Sequence, residues 1–173
     1  VVATAGWAPQ RPTYTVDNPA PHVTFNSITD NPIYGDERTF FDVKSAANTN
    51  AGGFQDSYEV SADETLKLRM YIHNNASSSL NESGVGIAEN AMARVFLPEG
   101  ISKNLRSIGY VSADNAQPNI VSDTVDLYAD QAFGLEYVPG SARLQTNGGD
   151  FTVADSIVQT GAQIGYDNLD GTI

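Results

Sequence analysis

Between Thr65 and Pro98 the chain reads TLKLRMYIHNNASSSLNESGVGIAENAMARVFLP. Leu66, Leu68, Met70 and Ile72 alternate with Lys67, Arg69, Tyr71 and His73. Period two is the pattern of a strand with one face on a core and the other toward water. Asn74 and Asn75 break it, and a Ser, Asn and Gly-rich loop follows. A second alternating run carries Ala93, Val95 and Leu97 and stops at Pro98-Glu99-Gly100, where proline removes a ladder donor. The two runs are expected to pair with each other. Leu68, Met70, Ile72 and Val95 are expected in the core.

The rest of the chain has the same texture. Strands are expected at Thr39–Ser45, with Phe41 and Val43 inward, at Phe54–Val60, Leu105–Ser112 and Asn119–Tyr128, and over shorter runs at Phe133–Val138, Ala142–Thr146 and Phe151–Val153. Asn147-Gly148-Gly149-Asp150 is hairpin turn chemistry. His22–Ile28 reads as a strand, Thr13–Val16 as a short edge strand, and Ser156–Ile164 as mixed. Gly, Asn, Thr and Val interrupt every helical window. Short strands with turn signals every 8–12 residues or so predict an all-β sandwich. Residues 1–22 carry Pro9, Pro12, Pro19 and Pro21 and read as an extended Pro-rich N-terminal arm or linker ahead of a sandwich domain over 23–173. Trp7, the only tryptophan, and Tyr14 are the arm's candidate docking residues.

Charge narrows the partners. The chain of 173 residues has 21 acidic against 9 basic residues, a net charge of −12. Such a surface repels nucleic acid and anionic lipid and attracts divalent cations. Asp30, Asp36 and Glu37 fall in one turn-rich loop, TDNPIYGDER. Clustered carboxylates in a flexible loop are calcium-type donors, so calcium is a possible cofactor there, with Asp167 and Asp170 a second candidate. Solvated turn acids are the competing reading. No apolar run reaches the roughly 18 residues that span a bilayer. The chain opens at Val1 with no signal sequence and reads as a mature or excised piece.

Catalytic patterns are weak. There is no cysteine, which excludes disulfides, thiolate nucleophiles and thiolate metal sites. A serine triad would have to use His22 or His73, and His73 falls on the outward face of its strand with no nucleophile indicated. Two histidines without cysteine make a poor zinc set. No phosphate-binding glycine loop is present. An intramolecular isopeptide bond would need a buried lysine, and Lys44 at a strand end is the nearest to that description. The chain is therefore expected not to be an enzyme.

Tyr71-Ile72-His73-Asn74-Asn75, a polar loop, and then Ala93-Arg94-Val95-Phe96-Leu97-Pro98-Glu99-Gly100 resemble the DUF11 family. Its members are immunoglobulin-like repeats on bacterial and archaeal surface proteins. Tyr137-Val138-Pro139-Gly140 is similar to a later part of the family pattern, and the resemblance covers about residues 65–146. It implies an immunoglobulin-like antiparallel sandwich at the cell surface or secreted, and no catalytic residues. The expected function is a structural surface repeat or a self-assembling filament or surface-layer subunit, with copies of itself or adjacent surface domains as partners. The alternative is an adhesin-like module for carbohydrate. Family members close with a further strand after an acidic Gly turn. Here the turn is Gly165–Ile173, and the expectation is either a truncated piece or an edge filled by another chain or by the arm.

Overall fold

The structure is a computed structural model that describes residues 6–173. The first five residues of the expected arm lie outside the described residues. The fold is nearly all β, and the described residues form no α-helix. β1 (Phe41–Ser45), β2 (Ser57–Glu59) and β3 (Leu66–Met70) come first. A 3-10 turn at Ser78–Leu80 precedes β4 (Met92–Phe96), β5 (Ser102–Ser112) and β6 (Ile120–Phe133). β7 (Arg143–Thr146) and β8 (Gly149–Thr152) form a hairpin, and a second 3-10 turn at Asp155–Val158 leads to β9 (Ala162–Gln163).

β1 and β3 make an antiparallel pair. The main sheet has the order β2-β6-β5-β4-β9, antiparallel throughout except that β2 runs parallel to β6. The β1–β3 pair packs on this sheet in a sandwich-like arrangement. Phe41 and Val43 from β1 meet Val111, Val121, Val125 and Leu127 from β5 and β6 in one core cluster. Between the layers sits Gly109, where a Cβ would stand 2.9 Å from both the Met70 Cε and the Phe41 ring. A residue without a side chain lets the two layers close there.

The expected pairing of the two alternating runs does not occur. β3 pairs with β1, and β4 pairs with β5 and β9. The reason is cross-strand matching. β3 turns Arg69 outward, and Asp42 directly opposite on β1 takes two hydrogen bonds from its guanidinium. β4 places Ala93 opposite Val111 and Phe96 opposite Ile108, apolar against apolar on both faces. The faces of β3 are as the alternation predicts: Leu66, Leu68 and Met70 pack against the core, and Lys67 and Arg69 are exposed. Leu68 is nevertheless half-buried, at the margin of the core. Leu68→Ala should therefore cost about 2 kcal/mol, the low end of the range for such truncations. Urea unfolding measures it, and a cost under about 0.5 kcal/mol would place Leu68 on the surface.

The segment expected as strand His22–Ile28 is a buried cord. Residues 23–28 are all buried, so alternation has no solvent face to serve. Asn26 has φ 49°, which bends the backbone out of extended conformation. The expected edge strand Thr13–Val16 reduces to single bridges, Tyr14 with Ile28 and Thr15 with Asn18. Phe133 ends β6, the rest of the expected aromatic strand forms no ladder, and the mixed stretch 156–164 resolves into a 3-10 turn and β9.

Residues 6–22 lie on the body. Ala8 exchanges two backbone hydrogen bonds with Ser122 on β6, at 2.9 and 2.8 Å, on the edge that β2 occupies further along. Tyr14 bridges to Ser27 and Thr29, and Ala20 to Asn75 and Ser77. At the other end, Ile173 and Ala88 are joined by backbone hydrogen bonds in both directions.

Candidate functional site

The buried cord is held by side chains that imitate backbone. The Asn26 amide donates to Tyr71 O at 2.8 Å and Glu37 O at 3.2 Å, and its oxygen accepts from His73 N at 3.0 Å. Asn75 Oδ1 accepts from Ser27 N and Ile28 N, and Asn75 Nδ2 donates to Glu37 Oε2 at 2.8 Å. Glu37 stands at the centre, fully buried. Its Oε1 accepts from Asn31 Nδ2 at 2.6 Å and lies 2.8 Å from His73 Nδ1. Three chain segments, 26–31, 37 and 71–75, are thereby tied at one point. Among the described residues no buried side-chain N or O lacks a partner.

Two aromatic groupings flank this knot. On the outer side of β1–β3, Arg69 lies 4.0 Å from the Phe54 ring centre and 5.8 Å from that of Tyr34. Tyr34 stacks on Tyr71 at 4.2 Å. Lys44 Nζ lies 4.6 Å from the Phe54 ring centre and donates to the carbonyls of Asn50 and Gly52. Those contacts fasten the 46–56 loop. They also spend the lysine on backbone carbonyls rather than on the Asn or Asp side chain that an isopeptide bond requires. Burial pushes the Tyr34 phenol well above its usual range, with Asp42 adding to the rise. The second grouping is a clamp. Trp7 receives Arg38 at 4.3 Å and Arg11 at 5.5 Å from its ring centre. Arg11 also donates to Asn26 O at 2.6 Å and to Ser27 Oγ. Burial and the neighbouring Arg38 lower the Arg11 guanidinium to about 10.

The structure separates the calcium candidates. Asp30 accepts from Val16 N, and Asp36 takes a forked ion pair from Arg38, whose hydrogen bonds hold the Asp36 carboxyl below its usual range. Glu37 points inward into the knot. Asp170 caps its own turn through Thr172 N. Asp167 is exposed. No group of three or more His, Asp or Glu among the described residues is placed to share a metal ion.

Asp123 escaped the sequence reading, although its position is telling. It shares inward parity on β6 with Val121, Val125 and Leu127. Its Oδ2 accepts from Phe41 N at 3.0 Å, which ties β1 to β6. Burial pushes its carboxyl up to about 6, against the backbone N–H groups of Phe41, Thr124 and Phe40 that pull it down. A carboxyl raised in the fold stabilises most below its unfolded value near 4, and that contribution is lost as pH rises through about 6. Asp123→Asn keeps the acceptor and removes the titration. Between about pH 7.5 and about pH 4.5 the wild type should gain about 2 kcal/mol on this variant. Paired urea titrations at the two pH values check it, and parallel stabilities would overturn it.

Asn26 and Asn75 were also missed as structural centres. The available signal was polar amides inside otherwise apolar runs, VTFNSI and MYIHNN. Two shallow depressions lie on the described surface. One, of about 460 Å³, is lined by His22, Val85, Glu89 and Gln117. The other, of about 400 Å³, lies on the main sheet between Phe96, Ile108 and Tyr128. Compared with models of known families, with curated proteins and with solved structures, the chain matches none.

Proposed function

We propose that this chain is a non-catalytic extracellular structural module of the immunoglobulin-like kind that the DUF11 resemblance implies, acting as a surface repeat or self-assembling subunit. The observation that carries this reading is the Glu37 knot. His73, Glu37 and the paired amides are the groups from which catalytic sites are built. Here they bind chain to chain: the Glu37 carboxyl is fully buried among Asn31, His73 and Asn75. The Pro-rich segment works in the same sense, as a strap running from Ala8 on β6 to Ala20 beside Asn75. The partners are neighbouring copies or adjacent surface domains, and the acidic surface keeps the module off nucleic acid and anionic lipid. Light scattering across a wide concentration range tests the reading. Concentration-dependent association supports it, and a monomer throughout overturns the self-assembling form.

A second reading, an adhesin-like module for carbohydrate, is favoured by the row Phe54, Tyr34 and Tyr71 beside Asp42. Half-buried rings next to a carboxyl are sugar-binding chemistry. A glycan array decides it: retention that Tyr34→Ala abolishes supports this reading, and no retention removes it.

A further inference from the structure

We infer that the outer face of the five-stranded sheet, around Phe96, Ile108, Tyr110 and Tyr128, is the surface on which a second copy of this chain packs. The inference rests on the assembly reading above and names the face that assembly uses.

The register separates the two faces of the sheet. Ala93, Val95, Val111, Val121, Val125 and Leu127 point to the core. Phe96 is opposite Ile108, Arg94 is opposite Tyr110, and Asn104 is opposite Tyr128, all on the other face. A sheet with one wet face alternates apolar with polar, whereas strands covered on both faces are apolar on both. β4 and the middle of β5 turn Met92, Phe96, Ile108 and Tyr110 outward around Arg94, and among the described residues this side is covered in part at β6, where Gly6 N donates to Thr124 Oγ1 opposite Ile108. Phe96 is 39% exposed and Tyr128 44% exposed, and between them lies the depression of about 400 Å³. Its polar lining is Asn104 and the ion pair of Arg106 with Asp126, at 2.6 Å.

Charge selects the occupant. Two chains of net charge −12 repel each other wherever acid meets acid. The outward positions of β4, β5 and β6, from Met92 to Phe96, Asn104 to Ser112 and Ile120 to Tyr128, carry two arginines and one aspartate. Arg94 lies 5.6 Å from the Tyr110 ring centre and donates to Gln159 O, and Asp126 is matched to Arg106. Glu59 of β2 is exposed beside Tyr128 on the same side, so this face is locally neutral on a strongly acidic molecule. It is a surface on which two arginines balance two carboxylates, so two copies can approach there without net repulsion, with an apolar centre to desolvate. Packing of this patch on itself about a two-fold axis closes the assembly as a dimer.

The test is sedimentation and light scattering of the full chain, with Phe96→Glu and Tyr128→Glu as face variants and Val138→Glu as the control. Val138 is 54% exposed and lies outside this face, and all three changes add the same charge. The two face positions are exposed in the single chain, so the far-ultraviolet circular dichroism and the melting temperature at low concentration should match the wild type. The wild type should dimerise, each face variant should weaken dimerisation at least about tenfold, and the control should leave it unchanged. Association that none of the variants weakens overturns this face and leaves the assembly reading standing. A wild type that stays monomeric overturns both and leaves the face to a different protein. A control that weakens association as much as the face variants do also overturns the inference, because net charge alone would then govern association.

Discussion

Glu37→Ala lowers the free energy of unfolding by about 3–5 kcal/mol, the range for removing one partner from a buried charged or multiply bonded group. The carboxyl has no solvent exposure, and its two oxygens meet three side chains. Alanine removes every acceptor at once. Asn75 Nδ2 is then buried without a partner, and the same amide's oxygen holds Ser27 N and Ile28 N, so the buried cord loosens with it. A cavity of carboxyl size adds to the cost. Glu37→Gln separates the contributions. It fills the space and keeps one acceptor, but it sets an amide donor against an existing donor, and it should cost about 1–3 kcal/mol. Urea unfolding of the three proteins gives both numbers. A loss below about 1 kcal/mol for alanine would show that the three segments are held by packing and not by the knot.

Deleting residues 1–22 should lower stability by at least about 3 kcal/mol, with no change of mass in solution. The segment's bonds go to its own chain: Ala8 with Ser122, Tyr14 with Ser27 and Thr29, Ala20 with Asn75 and Ser77. Arg11 reaches the cord at Asn26 O, and Trp7 is held against Arg38. The deletion therefore uncovers residues 23–28 as well as removing its own contacts. Prolines at 9, 12, 19 and 21 restrict the free segment, so less entropy is returned when it leaves. Calorimetry reads the loss, and light scattering reads the mass. An unchanged melting temperature would make the segment a linker, and a changed mass would move its partner to another chain.

Local chemistry was legible in the sequence wherever it acts over a few residues. Period two set the faces of β3, because successive side chains on any strand point to opposite sides. Asn147-Gly148 placed the hairpin between β7 and β8, because those residues tolerate the backbone conformation of a tight turn. The all-β character followed from the same local rules. Trp7 was singled out by its cost if left in water, and two arginines lie over its ring.

Partner choice belonged to the tertiary structure. β3 chose β1 over β4 because Asp42 meets Arg69 across 27 residues, a match that no local window contains. Glu37 sits in the same turn as Asp36 and reads identically in sequence, but Asp36 turns outward to Arg38 while Glu37 turns inward. The difference arises because the Asn75 amide and the His73 ring, 38 and 36 residues away, meet the carboxyl on the buried side. The alternation of His22–Ile28 predicted a strand, and burial on every side made it a cord, since one wet face is what gives alternation its meaning. Sequence alone determined which side chains β3 turns to each face. Which face meets which, and which carboxyl is buried, was decided by contacts between segments far apart in the chain, whose energies exist only once the chain has closed on itself.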